Sequence, residues 1–260
     1  MIMKLKQAAM LVGWTLLANV AQANAETPTL DVYDGFETAK LGPLWDTDRF
    51  APGAVTMQSE VVRAGRGAAK ITLRPRDKFE AGIKGSKDSE RDELLEASRL
   101  VSQEDCSYEY SFSMFMPSNF PIVPTRLVIA QWKQQCRGAN CADDSPVLAI
   151  RYVSGVLSVT HKTGPERTML YRNQEEVRNQ WLDFRFQIRF STNANGRIKA
   201  WLNGEQVVDY QGVNAYAENE QTGYRHPSPF YFKMGLYRDL MSEPMTIYLD
   251  EYRKKRLPDL

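Results

Sequence analysis

Three short segments of this 260-residue chain carry side chains suited to acid–base chemistry, and each alternates like a strand. In Tyr231-Phe232-Lys233-Met234-Gly235-Leu236-Tyr237, successive side chains of a strand would point to opposite faces. Phe232, Met234 and Leu236 then share an apolar face. Tyr231, Lys233 and Tyr237 share the other, with Gly235 leaving a gap between the cation and the second phenol. In Ile129-Ala130-Gln131-Trp132-Lys133, Gln131 and Lys133 fall on one face, and in Arg91-Asp92-Glu93-Leu94-Leu95-Glu96 so do Arg91 and Glu93. If the three strands are neighbours, a guanidinium, an amide, two ammoniums and a phenol meet on one curved sheet. That set suits an anionic sugar chain. A uronate C5 proton becomes acidic once its carboxylate is neutralised, which Arg91 and Gln131 can do by hydrogen bonding. A phenol or amine can then take the proton, and a phenol can protonate the departing glycosidic oxygen. The outcome would be β-elimination across C4–C5, with no obligatory metal.

The rest of the chain supplies strands to position such groups. Tyr108, Tyr110, Phe112, Met114 and Met116 mark one apolar face, with Ser107, Glu109, Ser111 and Ser113 opposite. Leu182, Phe184, Phe186, Ile188 and Phe190 alternate in the same way with Asp183, Arg185, Gln187 and Arg189. Asn195-Gly196 and Asn203-Gly204 are turn signals around a strand from Arg197 to Leu202. Further strands are predicted near 55–62, 68–74, 126–133, 147–153, 156–161, 206–210, 230–237 and 245–252, and loops over 172–180 and 211–229. Many two-faced strands and little helical periodicity indicate an all-β fold of two packed antiparallel sheets, a sandwich or jelly roll.

The first 25 residues read as a signal peptide. Lys4 and Lys6 precede an apolar run from Ala8 to Val20, and Ala23-Asn24-Ala25 is a small-residue cleavage site. The run is too short, and too interrupted by Gly13 and Asn19, for a membrane span. Residues 26–260 are then expected to form one exported domain, periplasmic or secreted. Without Lys4 and Lys6, the 33 basic residues become 31 against 32 acidic ones. That near-neutral balance argues against a nucleic-acid partner. Cys136 and Cys141 flank four residues, a spacing that closes a small disulfide loop in an exported protein. Neither His161 nor His226 stands at metal-ligand spacing from them. Cys106 is expected as a buried free thiol within a strand, and His161 as an exposed turn residue.

The three alternating segments, in this order, resemble those of the jelly-roll polysaccharide lyases, the superfamily of heparin lyase I, glucuronan lyase and the compact alginate lyases. The carrying motifs are Arg91-Asp92-Glu93-Leu94, Gln131-Trp132-Lys133 and Tyr231-Phe232-Lys233-Met234-Gly235-Leu236-Tyr237. Asp34-Gly35-Phe36-Glu37, Trp201-Leu202-Asn203-Gly204 and Leu249-Asp250 extend the resemblance over nearly all of residues 26–260. It implies a concanavalin-like β-jelly roll with a concave substrate groove. It implies Tyr237 as the catalytic tyrosine, Gln131 and Arg91 as carboxylate neutralisers and Lys233 as a substrate contact. Glu93, Tyr231, His226 and Arg238 complete the expected substrate-binding set. No cofactor is required. Asp34, Glu37 and Asp250, from chain ends that the family's fold brings together, are a candidate structural calcium site.

One position departs from the family, which often has His two residues after the Gln where this chain has Lys133. In glucuronate and mannuronate the C5 hydrogen and the C4 oxygen leave from the same side, so one tyrosine can be both base and acid. In guluronate or iduronate they leave from opposite sides, and a second group must act as base. Loss of the His therefore favours a glucuronate- or mannuronate-type polymer with Tyr237 in both roles and Lys133 as a catalytic-site cation for the carboxylate. Alternatively Lys133 is itself the base, or His226, reaching in from a loop, replaces the missing histidine. Arg185 and Arg189 either extend a polyanion groove or form a solvated outer face. Two other functional classes compete. A non-catalytic glycan-binding protein would need only the sandwich. A retaining glycoside hydrolase would need two close carboxylates on one face, for which Glu90, Asp92 and Glu96 are the candidates.

Overall fold

The computed structural model describes residues 30–47, 49–77, 89–136, 145–173, 175–218 and 223–258. The expected leader and, through Cys141, the expected Cys136–Cys141 bond lie outside the described residues. The described chain holds two antiparallel sheets and no α-helix, with a single 3-10 turn at Ser98–Leu100. One sheet runs β14 (Glu205–Gln211), β13 (Arg197–Leu202), β12 (Trp181–Arg189), β7 (Ser107–Phe115), β16 (Met245–Arg256), β4 (Ala68–Leu73) and β3 (Val55–Gln58). In the same sheet β1 (Asp31–Asp34) pairs with the far half of β16. The other runs β11 (Thr168–Arg172), β10 (Val156–His161), β9 (Leu148–Val153), β8 (Leu127–Gln134), β15 (Pro229–Asp239), β5 (Ser89–Glu96) and β2 (Trp45–Asp46), with β6 (Ser102–Gln103) on the start of β15. This two-sheet jelly roll is the expected fold.

The apolar faces meet between the sheets. Trp132 of β8 is fully buried among Tyr110 of β7, Phe186 of β12 and Phe232 of β15, with ring centroids 5.5, 4.7 and 4.8 Å away. Two of those rings come from the opposite sheet, so this cluster clamps the sandwich under the site. Burying each such ring stabilises the fold by roughly 1.5–3 kcal/mol.

Several expectations change. The strand predicted over 55–62 stops at Gln58, whose side chain accepts from the backbone N–H groups of Glu60 and Val61 and so turns the chain. The edge strand β11 was not predicted, because its largely exposed residues do not alternate. His161 is no turn residue. It closes β10 on the same parity as core residues Leu157 and Val159, is 6% exposed, and lies 5.1 Å from the Tyr210 ring. Burial lowers its pKa below the ordinary histidine value. Cys106 is a free thiol, but it is half-buried in the turn before β7, and Arg256 donates to its Sγ at 3.1 Å.

Candidate active site

β15 lies between β8 and β5, so the three chemistry-bearing segments are neighbours in one sheet. Lys233 stands opposite Gln131 on one side, and Tyr231 opposite Lys133. On the other side Gly235 stands opposite Glu93, and Tyr237 opposite Arg91. Gly235 is required here. Its φ is +143°, and a Cβ would lie 2.4 Å from the Asp92 carbonyl oxygen and 2.8 Å from Glu93 Cα. Beyond it the pairing with β8 slips by one residue, so that Tyr237 faces Val128. Such a bulge re-aims the side chains that follow it.

The side chains form a connected set around Glu93. Gln131 donates its amide N–H to Glu93 Oε1. Lys233 Nζ donates to Glu93 Oε2 at 3.0 Å, and an Arg91 guanidinium nitrogen lies 3.9 Å from the same oxygen. Burial alone would push the Glu93 carboxyl up. The charges of Lys233 and Arg91, with the hydrogen bonds from Lys233 and Gln131, outweigh it and hold the group below the ordinary carboxylate value. Arg91 also lies over the Tyr237 ring, 4.1 Å from its centroid, with Arg126 at 4.8 Å. One guanidinium thus joins the Glu93 cluster to the phenol. Lys133, Tyr231, Lys233, Arg91 and Glu93 line a cleft of about 510 Å³ that Asp46 and Arg49 help to close, and Tyr237 stands beyond it on the same face. Arg126 and Arg151 were missed by the sequence reading. Arg151 interrupts the apolar run Leu148-Ala149-Ile150 on β9, a signal that was visible, but its place beside the site depends on strand register.

Other expected members lie elsewhere. Arg238, read as substrate-binding, has the parity of Phe232 and Leu236 and faces the interior. It is 0% exposed, donates through Nε to Glu90 Oε2 at 2.9 Å, and donates to the Glu243 carbonyl. His226 sits away from the cleft lining, its Nδ1 2.6 Å from Glu104 Oε2. The calcium candidates each accept from protein donors. Asp34 accepts from the Phe36 N–H and the Trp45 indole, Glu37 from the Arg66 N–H, and Asp250 from the N–H groups of Arg63, Ala64 and Glu251. No cluster of three or more potential metal-ligating acids, His or Cys occurs among the described residues. Arg185 and Arg189 belong to the opposite sheet, where they lie within 3.6 Å of Glu109 and 3.8 Å of Asp105. That sheet has its own cavity of about 480 Å³, but its polar lining is engaged internally, Arg63 with Asp183 and Tyr33 with Glu251.

The carboxylates that a hydrolase would need point inward. Glu90 is paired with Arg238. Glu96 accepts from Lys254 at 3.0 Å and from the Tyr252 hydroxyl, with both ionic side chains fully buried. Asp92 accepts from the Ala51 N–H at 2.7 Å. None of the three faces the cleft side of β5 with Arg91 and Glu93.

Among solved structures, the fold is similar to an endo-β-1,4-glucuronan lyase from Trichoderma reesei, with a TM-score of 0.65 and 21% identity over 86% of this chain and 94% of that one. It is also similar to an alginate lyase of polysaccharide lyase family 7, with a TM-score of 0.54 and 14% identity over 79% and 83%. A glycoside hydrolase family 131 catalytic domain from Coprinopsis cinerea gives 0.53 and 13% over 87% and 84%. A search of curated proteins found no match in sequence. At these identities the likenesses speak for the fold alone, which lyases and hydrolases share. The polysaccharide lyase family model matches residues 25–253, and this chain belongs to the polysaccharide lyases.

Proposed function

We propose that this lyase is exported and cleaves a polymer of glucuronate or mannuronate type by β-elimination, with Tyr237 as base and acid. The observation that carries the reading is Arg91, which touches both the Glu93–Gln131–Lys233 cluster and the Tyr237 ring. A uronate lying across β5, β15 and β8 meets guanidinium and amide donors for its carboxylate, and negative charge that gathers there as the C5 proton leaves is met by fixed cations. The Tyr237 oxygen takes the C5 proton, the C4–O bond breaks, and a proton from the same phenol ends on the departing oxygen. A C4–C5 double bond remains. Lys133 replaces the family's histidine in the cleft, facing Tyr231 rather than Tyr237 in register, and is assigned to carboxylate binding. The similarity to a glucuronan lyase agrees with the substrate class. Export rests on the leader-like first 25 residues. No helix among the described residues is long and apolar enough to cross a membrane.

The test is ultraviolet absorbance of the unsaturated product with glucuronan, polymannuronate, polyguluronate, hyaluronan and heparin. The expected result is a rise on glucuronan or polymannuronate that Tyr237→Phe abolishes, by at least a thousandfold, while the circular dichroism of the variant is unchanged. A folded Tyr237→Phe enzyme with the wild-type rate would remove Tyr237 from the chemistry. A rise confined to polyguluronate would overturn the one-tyrosine reading.

A further inference from the structure

Arg151 is a buried cation of this face whose charge no described carboxylate balances. Arg91 and Lys233 share Glu93, and Arg126 lies 2.6 Å from Asp239. Arg151 is only 7% exposed and makes no ion pair among the described residues; its Nε donates to Thr160 Oγ1 at 3.0 Å. Burying a charge without a partner is costly, so such a residue is held ready for an anion that arrives from outside.

Register puts that charge beside the chemistry. Val128 is opposite Tyr237 on one side and Arg151 on the other, so Arg91, Tyr237, Val128 and Arg151 form one row across four strands. In the next row Lys233 faces Gln131, Gln131 faces Ala149, and Ala149 faces Thr160. Thr160 pairs with Ala149 on the side away from Gln131, so the bond to it fixes the Arg151 guanidinium over β9 and β10, on the cleft face two strands from Tyr237. Gln131, by contrast, already spends an amide N–H on Glu93.

We propose that Arg151 binds the carboxylate of the uronate that reacts at Tyr237, opposite Arg91, in addition to the Gln131 amide. The proposal rests on the elimination reading above and adds a specificity-determining residue to it. A guanidinium held by its Nε keeps its two terminal nitrogens for a bidentate carboxylate contact, which a neutral or esterified sugar cannot supply. Burial, reinforced by the charges of Arg167 and Arg126, pulls the Arg151 pKa down to about 10, so the side chain remains a cation at neutral pH.

The experiment compares wild type, Arg151→Met, Arg151→Lys and Thr160→Val on glucuronan or polymannuronate, whichever the wild type cuts, and on the methyl ester of that polymer. For Arg151→Met, kcat/KM should fall at least a hundredfold on the acid, with KM rising at least tenfold, and less than threefold on the ester. Arg151→Lys should recover part of the loss, and Thr160→Val should raise KM on the acid alone. Thermal unfolding checks that each variant is folded. Should Arg151→Met not fold, the lysine and valine variants decide by the same acid-against-ester comparison. Equal losses on acid and ester, or no loss on the acid, would overturn the role of Arg151 while leaving the elimination intact. A wild-type enzyme that forms no unsaturated product from any polyuronate would sink the elimination reading and this proposal with it.

Discussion

Glu93 is an acid at the centre of a site proposed to receive acids, and its partners explain why. It receives Gln131, Lys233 and Arg91, and it is 2% exposed. Its charge orients three donors before substrate arrives, which removes their ordering cost from the reaction. The substrate contact expected of Glu93 and this orienting role are told apart by mutation. Glu93→Gln should lower kcat at least tenfold without raising KM for a polyanion, because the groove loses order and gains net positive charge. It should also lose about 3 kcal/mol of stability, the scale for removing one partner of a buried pair. Steady-state kinetics with denaturant unfolding checks both. A raised KM at unchanged kcat would make Glu93 a substrate contact after all. At this scale the alternation of Tyr231, Lys233 and Tyr237 was readable, since strand geometry is local. The same parity placed Arg238 with Phe232 and His161 with Val159.

At the scale of elements, the close contact of β5 and β15 sets the spacing of the site. Glu93 with Lys233, and Arg91 with Tyr237, sit on either side of Gly235. Both pairs depend on two backbones approaching where a Cβ would overlap the Asp92 carbonyl. Gly235→Ala combines that overlap with an unfavourable φ, and backbone offers no rotamer by which to yield. The cost should be about 2–3 kcal/mol, from strain and overpacking together, with turnover falling more than tenfold as both pairs shift. Urea unfolding and rate assays read the two effects, and wild-type values for either would show that the approach is not required. Gly235 was visible in sequence as a gap in a polar face. Its reason, a neighbouring strand from residues 89–96, was not.

At the scale of the molecule, the floor of the groove rests on charges held inside the sandwich. Arg238–Glu90 and Lys254–Glu96 are buried pairs, and Asp92 is 0% exposed, with Oδ2 unpaired. Burial chiefly, with the nearby Asp77 carboxylate adding to it, pushes Asp92 up to about 8. The folded state therefore keeps a proton that the unfolded chain releases near the ordinary carboxylate value. Stability from this group is whole at about pH 4, declines as pH rises from about 4 to 8, and is fully forfeited above that. Asp92→Asn keeps an acceptor for the Ala51 N–H and cannot ionise. Its melting temperature should match wild type near pH 4 and exceed it at pH 9, by roughly 2–4 °C for each kcal/mol recovered. A difference that stays constant from pH 4 to pH 9 would show that Asp92 does not titrate in this way. These inward carboxylates are the ones that made a hydrolase conceivable from sequence, and the core accounts for them.

The sequence by itself determined which side chains share a face. A two-residue period needs only the local geometry of an extended backbone, and it holds wherever the strand is placed. Phe232 with Met234, Gln131 with Lys133 and Arg91 with Glu93 followed from that alone. Which faces meet was decided by the tertiary structure. Lys233 reaches Glu93 across 140 residues of chain, and Arg151 comes beside Tyr237 only because Val128 pairs with both. Such pairings are fixed by burying Trp132, Phe232 and their partners between two sheets at once, a condition that no local segment carries.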